Sequence, residues 1–286
     1  SLTLWCIQPA MSDVSRPRTA AAGADTLSTL LPMGMVASRA WLLAHGLSKD
    51  RLDNHVKSGR LRKLARGVFC QQHAALNWEN VVASFSLSMD IPAYAGGLTA
   101  LEEYGYSQYL TLGAQRVIEV YSTLPEPSWL QALAEHVEGV RFRWHKTQRL
   151  WQPEVVEQQI GVIHRPWSPS ANAQVLARAE TAYIELLHEV PGQISFEHAD
   201  EIMQGLTSLS PRKVSQMLAH CKSIKAKRLF CWLADRHSHS WWKTLSDQEV
   251  DLGKGKRVIE QGGRLDKRYL ITVLASLYQD YPDGKT

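Results

Sequence analysis

The sequence predicts an α+β protein in which a small helical module closed by a basic hairpin precedes a larger mixed portion. Three observations carry this. Two short capped helical patterns surround a glycine turn at residues 38–59, a basic hairpin pattern follows at 60–70, and β-rich and helical segments alternate from residue 78 onward. A chain of 286 residues, 44% hydrophobic and 21% charged, is long enough for two domains. The expected division is a flexible leader over 1–24, the small module over 25–76 and the α+β portion over 77–286.

Residues 1–10 form an apolar stretch ahead of Met11, read as an upstream extension. They lack the basic start and long apolar core of a secretory signal, and Pro17 with Ala21-Ala22-Gly23 offers little to bury. The first helix begins at Ser38, a residue suited to capping, and carries Trp41, Leu42 and Leu43 up to a His45-Gly46 stop. Ser48 caps the second, and Leu47 just outside it can pack on Leu52, a staple that fixes the entry angle. Leu52 and Val56 face inward. Asp50, Arg51, Asn54, Lys57 and Ser58 then point outward, with Lys49 and His55 on the flanks and Gly59 ending the helix. In the hairpin, Arg60, Arg62, Lys63 and Arg66 precede Gly67, and Val68-Phe69 form the return; its side chains do not alternate cleanly.

Helix, glycine turn, helix and basic hairpin together make the pattern of a winged helix-turn-helix, whose second helix reads base edges and phosphates in a major groove. Residues 49–66 hold seven basic and two acidic side chains, a local net of +5 in a chain whose total is +4. The positive excess is therefore local, as a phosphate-binding surface requires. The alternative is a solvated basic helix and hairpin in some other small module.

Beyond the hairpin, residues 78–90 and 97–104 read as helices separated by Pro92 and Gly96-Gly97. Strands are expected at Arg116–Ser122, Val140–Lys146 and Ile160–Arg165, with a helix over Trp129–His136 between the first two. From Ser170 the apolar spacing predicts one long amphipathic helix ending at Pro191. Helices follow at 196–206, at 210–221 with Ser210 as cap and Pro211 in the first turn, and at 223–236. The tail reverts to strands, and Gly262-Gly263 between KRVIEQ and RLDKRYLITV signals a hairpin.

Few residues suggest catalysis or a cofactor. Gly253-Lys254-Gly255-Lys256-Arg257 matches neither phosphate-binding glycine loop and reads as a basic turn. Glu185 and His188 have the spacing of half a di-iron site without its second half, and His237 with His239 lacks further ligands at defined spacing. A metal-dependent nuclease strand would carry an acidic residue two before a lysine, and that triplet occurs only at Asp283-Gly284-Lys285. Cys6, Cys70, Cys221 and Cys231 show neither metal nor disulfide spacing, which suits reduced thiols in the cytoplasm. No apolar run reaches the 18 residues needed to cross a membrane.

Two further basic stretches stand out. Residues 254–268 contain Lys254, Lys256, Arg257, Arg264, Lys267 and Arg268 against Glu260 and Asp266, and residues 222–236 contain Lys222, Lys225, Lys227, Arg228 and Arg236 against Asp235. A solvated face, a second DNA-contacting surface and an interface for an acidic partner all fit this pattern.

The Lys227-Arg228-Leu229-Phe230 helix start, the helix end at Trp242, the Asp251–Arg257 turn, Gly262-Gly263 and Tyr269–Val273 resemble the C-terminal portion of AbiEi-type antitoxins. SGRLRKLARGVF and AGGLTALEEYGY are similar to the same family, so the resemblance runs from about residue 25 to 275; Leu274 replaces a proline that often follows the last strand. That resemblance implies an antitoxin of a type IV toxin-antitoxin, abortive-infection system. Its winged helix-turn-helix would repress its own promoter at inverted repeats, and its C-terminal domain would counteract a co-encoded nucleotidyltransferase-like toxin without a stable complex. The DNA role falls on Ser48, Lys49, Arg51, Asn54, Lys57, Arg60, Arg62, Lys63 and Arg66, and neutralisation on Lys254, Lys256, Arg257 and Arg264. No cofactor is expected. A winged-helix enzyme, either a nuclease or a modifier reversing the toxin's action, and a ligand-sensing transcription factor are the alternatives.

Overall fold

The computed structural model describes residues 26–108, 115–245 and 250–279. The expected leader, Cys6 and the Asp283-Gly284-Lys285 triplet lie outside them. The chain opens with α1 (Thr26–Leu30), β1 (Ala37–Ser38), α2 (Arg39–Ala44), α3 (Lys49–Lys57) and the strands β2 (Leu61–Ala65) and β3 (Val68–Gln71). Both helical caps form: Ser38 Oγ accepts from the Trp41 amide at 3.1 Å and Ser48 Oγ from the Arg51 amide at 3.3 Å. At the far end of α3 the Gly59 and Arg60 amides donate back to the Val56 and His55 carbonyls, a Schellman ending that needs the φ of +70° found at Gly59. The strands form an antiparallel sheet in the order β1-β3-β2. Its register shifts between Lys63 and Ala65, a bulge that places buried Leu61 and Leu64 three apart and explains the uneven alternation.

Next come α4 (Trp78–Ser88), β4 (Ala93–Ala95), α5 (Gly97–Glu103), β5 (Arg116–Ser122), α6 (Leu130–Ala134), β6 (Val140–Lys146), α7 (Glu154–Glu157), β7 (Val162–Arg165), β8 (Gln174–Ala177) and α8 (Ala179–His188). Five of these strands make a mixed sheet ordered β6-β5-β4-β8-β7. The long helix expected from Ser170 to Pro191 is wrong in its first part. Val175, Leu176 and Ala177 belong to β8, an interior strand that pairs with β4 on one side and β7 on the other. A short apolar run buried on both faces cannot be told from a helix by periodicity, and its pairing partners decide. The same applies to β4, three fully buried residues that the sequence shows only as a gap between helices.

The Ala95-Gly96-Gly97 turn leaving β4 is shaped by a buried carboxylate on α8. Glu185 Oε2 accepts from the Gly97 amide at 2.7 Å, while Oε1 accepts from the Tyr94 hydroxyl at 2.5 Å and the Trp151 indole at 3.2 Å. A Cβ on Gly96 would lie 2.2 Å from Glu185 Oε2, so a side chain there would evict the carboxylate. His188, on the same helix, meets Ser223 Oγ at 3.0 Å instead. The Glu185–His188 spacing therefore builds no shared site.

The last part comprises α9 (Phe196–Gly205), α10 (Pro211–His220), α11 (Ile224–His237), α12 (Ser240–Leu245), β9 (Arg257–Val258), β10 (Arg264–Asp266), β11 (Ile271–Val273) and α13 (Ala275–Gln279). The hairpin expected across Gly262-Gly263 does not form. β9 and β10 flank β11 on opposite sides, β9 parallel and β10 antiparallel to it, so the two glycines turn the chain across the strand that follows. Arg228 on α11 is fully buried and donates to the carbonyls of Leu252, Gly255 and Leu270, which fastens the 251–257 turn to the start of β11. One hydrophobic core runs without a break from Leu27 to Val273. Across the expected 76/77 division, Val36 is held by Ser84 and Ser88 of α4, its amide donating to Ser84 Oγ and its carbonyl accepting from Ser88 Oγ. No described helix is long and apolar enough to cross a membrane.

Candidate nucleic-acid interface

The wheel of α3 sorts its side chains into an inward face and an exposed one. Leu52 is fully buried and Val56 half-buried against the module's core, and Leu47 completes the staple from outside the helix. Lys49, Arg51, Asn54 and Lys57 are exposed, with Asn54 opposite the Leu52–Val56 face. The exposed side thus presents one amide flanked by cations. An amide can read an adenine edge and the cations can meet phosphates.

The hairpin deepens one flank of this helix into a groove of about 490 Å³. Lys57 lines it from α3, Lys63 and Arg66 from the hairpin, and Arg39 from the start of α2. Arg39 carries no local sequence signal, because its place depends on a tertiary contact: its Nη2 lies 3.3 Å from Asp53 Oδ1. Both side chains are about 40% exposed (36% and 42%), so this pair orients Arg39 more than it stabilises the fold. The Arg39 amide also donates to the Gly67 carbonyl at 2.8 Å, which fixes the hairpin tip relative to α2.

Arg51 and Arg60 lie on the other flank, where both act on His55. Burial first, then the charges of Arg60 and Arg51, hold the His55 imidazole below its ordinary pKa. Arg60 also borders a separate concavity with Leu27, Met33 and His73. Ser48 serves as the cap of α3, with its hydroxyl engaged by the Arg51 amide. Arg62 departs from the group. Its guanidinium turns to the Ala74 carbonyl at 3.0 Å, is half-buried, and leaves Nε buried without a partner. Arg62 precedes the bulge, so ordinary strand alternation puts it on the face opposite Lys63, toward the Ala74 carbonyl.

The two basic stretches near the end of the chain diverge. Lys254, Lys256, Arg257 and Arg264 are all exposed along the 251–264 turn and strand edge. Arg264 stacks over Tyr278 with 4.1 Å from Cζ to the ring centre. Beyond the exposed Lys222, the 222–236 stretch directs its charges to the protein interior. Lys225 donates to the carbonyls of His188 and Val190, the last residue of α8 and the second residue past it, Lys227 and Arg228 are buried, and Arg236 pairs with Asp200 at 2.9 Å. His237 meets Asp200 and His239 the Met203 carbonyl, each at 2.7 Å. Among the described residues, no group of three possible ligands could hold a metal ion.

Comparison with known proteins assigns the family. A model described as "Transcriptional regulator, AbiEi antitoxin N-terminal domain" matches residues 22–112, and one described as "Transcriptional regulator, AbiEi antitoxin, Type IV TA system" matches residues 115–274. The first therefore spans α4 and α5 as well as the basic module. No curated protein matches the chain. Among solved structures, the RV2827C protein from Mycobacterium tuberculosis aligns at 13% identity and a TM-score of 0.43, over 86% of this chain and 88% of that one. With more than half of its length matched by the second model alone, the chain belongs to the AbiEi antitoxin family of type IV toxin-antitoxin transcriptional regulators.

Proposed function

We propose that this protein is a non-enzymatic antitoxin of the cytoplasm whose α2–α3–hairpin module acts as a winged helix-turn-helix, binding inverted repeats in its own promoter and repressing it. The observation that carries the DNA role is the groove in which Lys57, Lys63, Arg66 and Arg39 line one flank of α3. Four cations beside an exposed Asn54 suit a duplex backbone running along the hairpin while α3 enters the major groove. The proposed contacts are Lys49, Arg51, Asn54, Lys57, Arg60, Lys63 and Arg66, with Ser48 positioning α3 and Arg62 supporting the hairpin from within.

Residues 77–286 carry the neutralising activity against a co-encoded nucleotidyltransferase-like toxin, in this reading through the exposed Lys254, Lys256, Arg257 and Arg264. Point variants of the full chain separate the two roles, since the continuous core makes excision of either part disruptive. A chain with Lys57, Lys63 and Arg66 all changed to alanine should bind the promoter markedly more weakly in a mobility-shift titration and still rescue cells expressing the neighbouring toxin. Promoter binding equal to wild type would sink the DNA assignment. Loss of rescue in that folded variant would sink the division of labour.

A further inference from the structure

A cavity of about 520 Å³ lies between the end of α10, the first turn of α11 and the chain at Val250-Asp251. Two antiparallel contacts frame it: the Gln152 amide donates to the His220 carbonyl and the Lys222 amide to the Leu150 carbonyl. The far wall is fastened too. Arg228 holds the Leu252 and Gly255 carbonyls, and a Cβ on Gly253 would stand 3.0 Å from Ile224 Cδ1, so the turn is packed directly onto α11. The cavity is thus built by the fold.

Lys227 lines this space and is only 5% exposed. Its neighbours on α11 spend their charges on protein groups, Lys225 on two carbonyls and Arg228 on three. Among the described residues the Lys227 ammonium has no hydrogen-bond or ion-pair partner. Its stem is buried while its Nζ still reaches solvent, so the ammonium opens on the cavity and is placed to meet an anion there. The exposed Lys222 borders the same cavity, and the positive end of the 14-residue α11 adds to both. Leu218, Ile224 and Val250 supply an apolar wall and Gln152 an amide. Asp251 also lines it, with its carboxylate accepting from the Gly253 amide at 2.9 Å.

We infer that this cavity binds a small organic phosphate monoester, with Lys227 and Lys222 meeting the dianion and the apolar wall its organic body. The site is distinct from the α3–hairpin groove and does not depend on the DNA reading. Calorimetric titration of the full chain with adenosine 5′-monophosphate, ribose 5-phosphate, inorganic phosphate and adenosine tests it. At least one of the two monoesters should bind saturably, at least tenfold tighter than adenosine or inorganic phosphate. Lys227→Met should weaken that binding tenfold or more and Lys222→Ala several-fold. Three results would overturn the inference: no saturable monoester binding, binding indifferent to both substitutions, or binding lost in Lys63→Ala/Arg66→Ala, which would place the phosphate in the hairpin groove. Should Lys227→Met fail to fold, the exposed Lys222→Ala decides, with unchanged affinity counting against the site.

Discussion

Two buried charged residues organise the larger part of the molecule, and each makes a prediction. Glu185 is fully buried, and burial pushes its carboxyl up to about 7 against the hydrogen bonds from Tyr94, Gly97 and Trp151. The native state therefore holds a proton that the unfolded chain, with an ordinary carboxyl near 4.5, releases between those two values. This contribution to stability is full below pH 4.5, declines as pH rises and is lost above 7, a difference of about 3 kcal/mol. Glu185→Gln removes the titration but sets an amide NH₂ against the Gly97 amide, so it costs stability most at acid pH. Urea unfolding at pH 5 and pH 8 should find the deficit of Glu185→Gln smaller at pH 8. An equal deficit at both would show that Glu185 is ionised throughout. Arg228 acts on backbone: its three carbonyl partners lie in the 251–257 turn and at the start of β11. Arg228→Met should cost about 2 kcal/mol or more, through carbonyls left without a donor, and should speed amide exchange in 251–257 before the rest of the chain.

At the scale of elements, the helices that begin with serine were legible because the signal and the structure are both local. Ser48, Ser195, Ser210 and Ser223 each cap the helix that follows. The strands β4 and β8 were not, since a buried three- or four-residue strand is defined by partners distant in sequence. The candidate DNA site shows the same split. Lys57, Lys63 and Arg66 follow from helix period and hairpin, whereas Arg39 enters through a tertiary contact with Asp53 and Arg62 turns away on the other face of its strand to the Ala74 carbonyl. The ending of α3 allows a direct test of how far local geometry sets this module. Gly59 has φ of +70° and open space around a would-be Cβ, so Gly59→Ala meets only the conformational penalty. That should be about 1 kcal/mol, read as a lower melting temperature, and Gly59→Asn should recover part of it. A Gly59→Ala protein as stable as wild type would mean that the Schellman ending is dispensable.

For the whole molecule, the continuous core and the placement of charge lead to different expectations about coupling. The core couples the parts mechanically: with Val36 bonded to Ser84 and Ser88, the basic module should unfold with the rest in one calorimetric transition. Charge, in contrast, is divided among surfaces that do not share residues, with the hairpin groove holding Lys57, Lys63 and Arg66, and the exposed Lys254–Arg264 cluster elsewhere in the chain. Salt linkage can count the cations that meet DNA, because each phosphate contact changes the slope of log K against log salt by about 0.9. Replacing Lys57, Lys63 and Arg66 together should flatten the slope by about 2.7 if all three meet phosphates. Arg62→Ala should leave the slope as in wild type and lower the melting temperature, since its guanidinium serves the Ala74 carbonyl. Replacing Lys254, Lys256 and Arg257 should leave it unchanged as well. The measurement is promoter affinity of the full chain at four or more salt concentrations for each variant. A slope that responds to Arg62 but not to Lys63 or Arg66 would place the DNA on the opposite face of the hairpin. A response to Lys254–Arg257 would make the C-terminal turn part of the same DNA-binding surface.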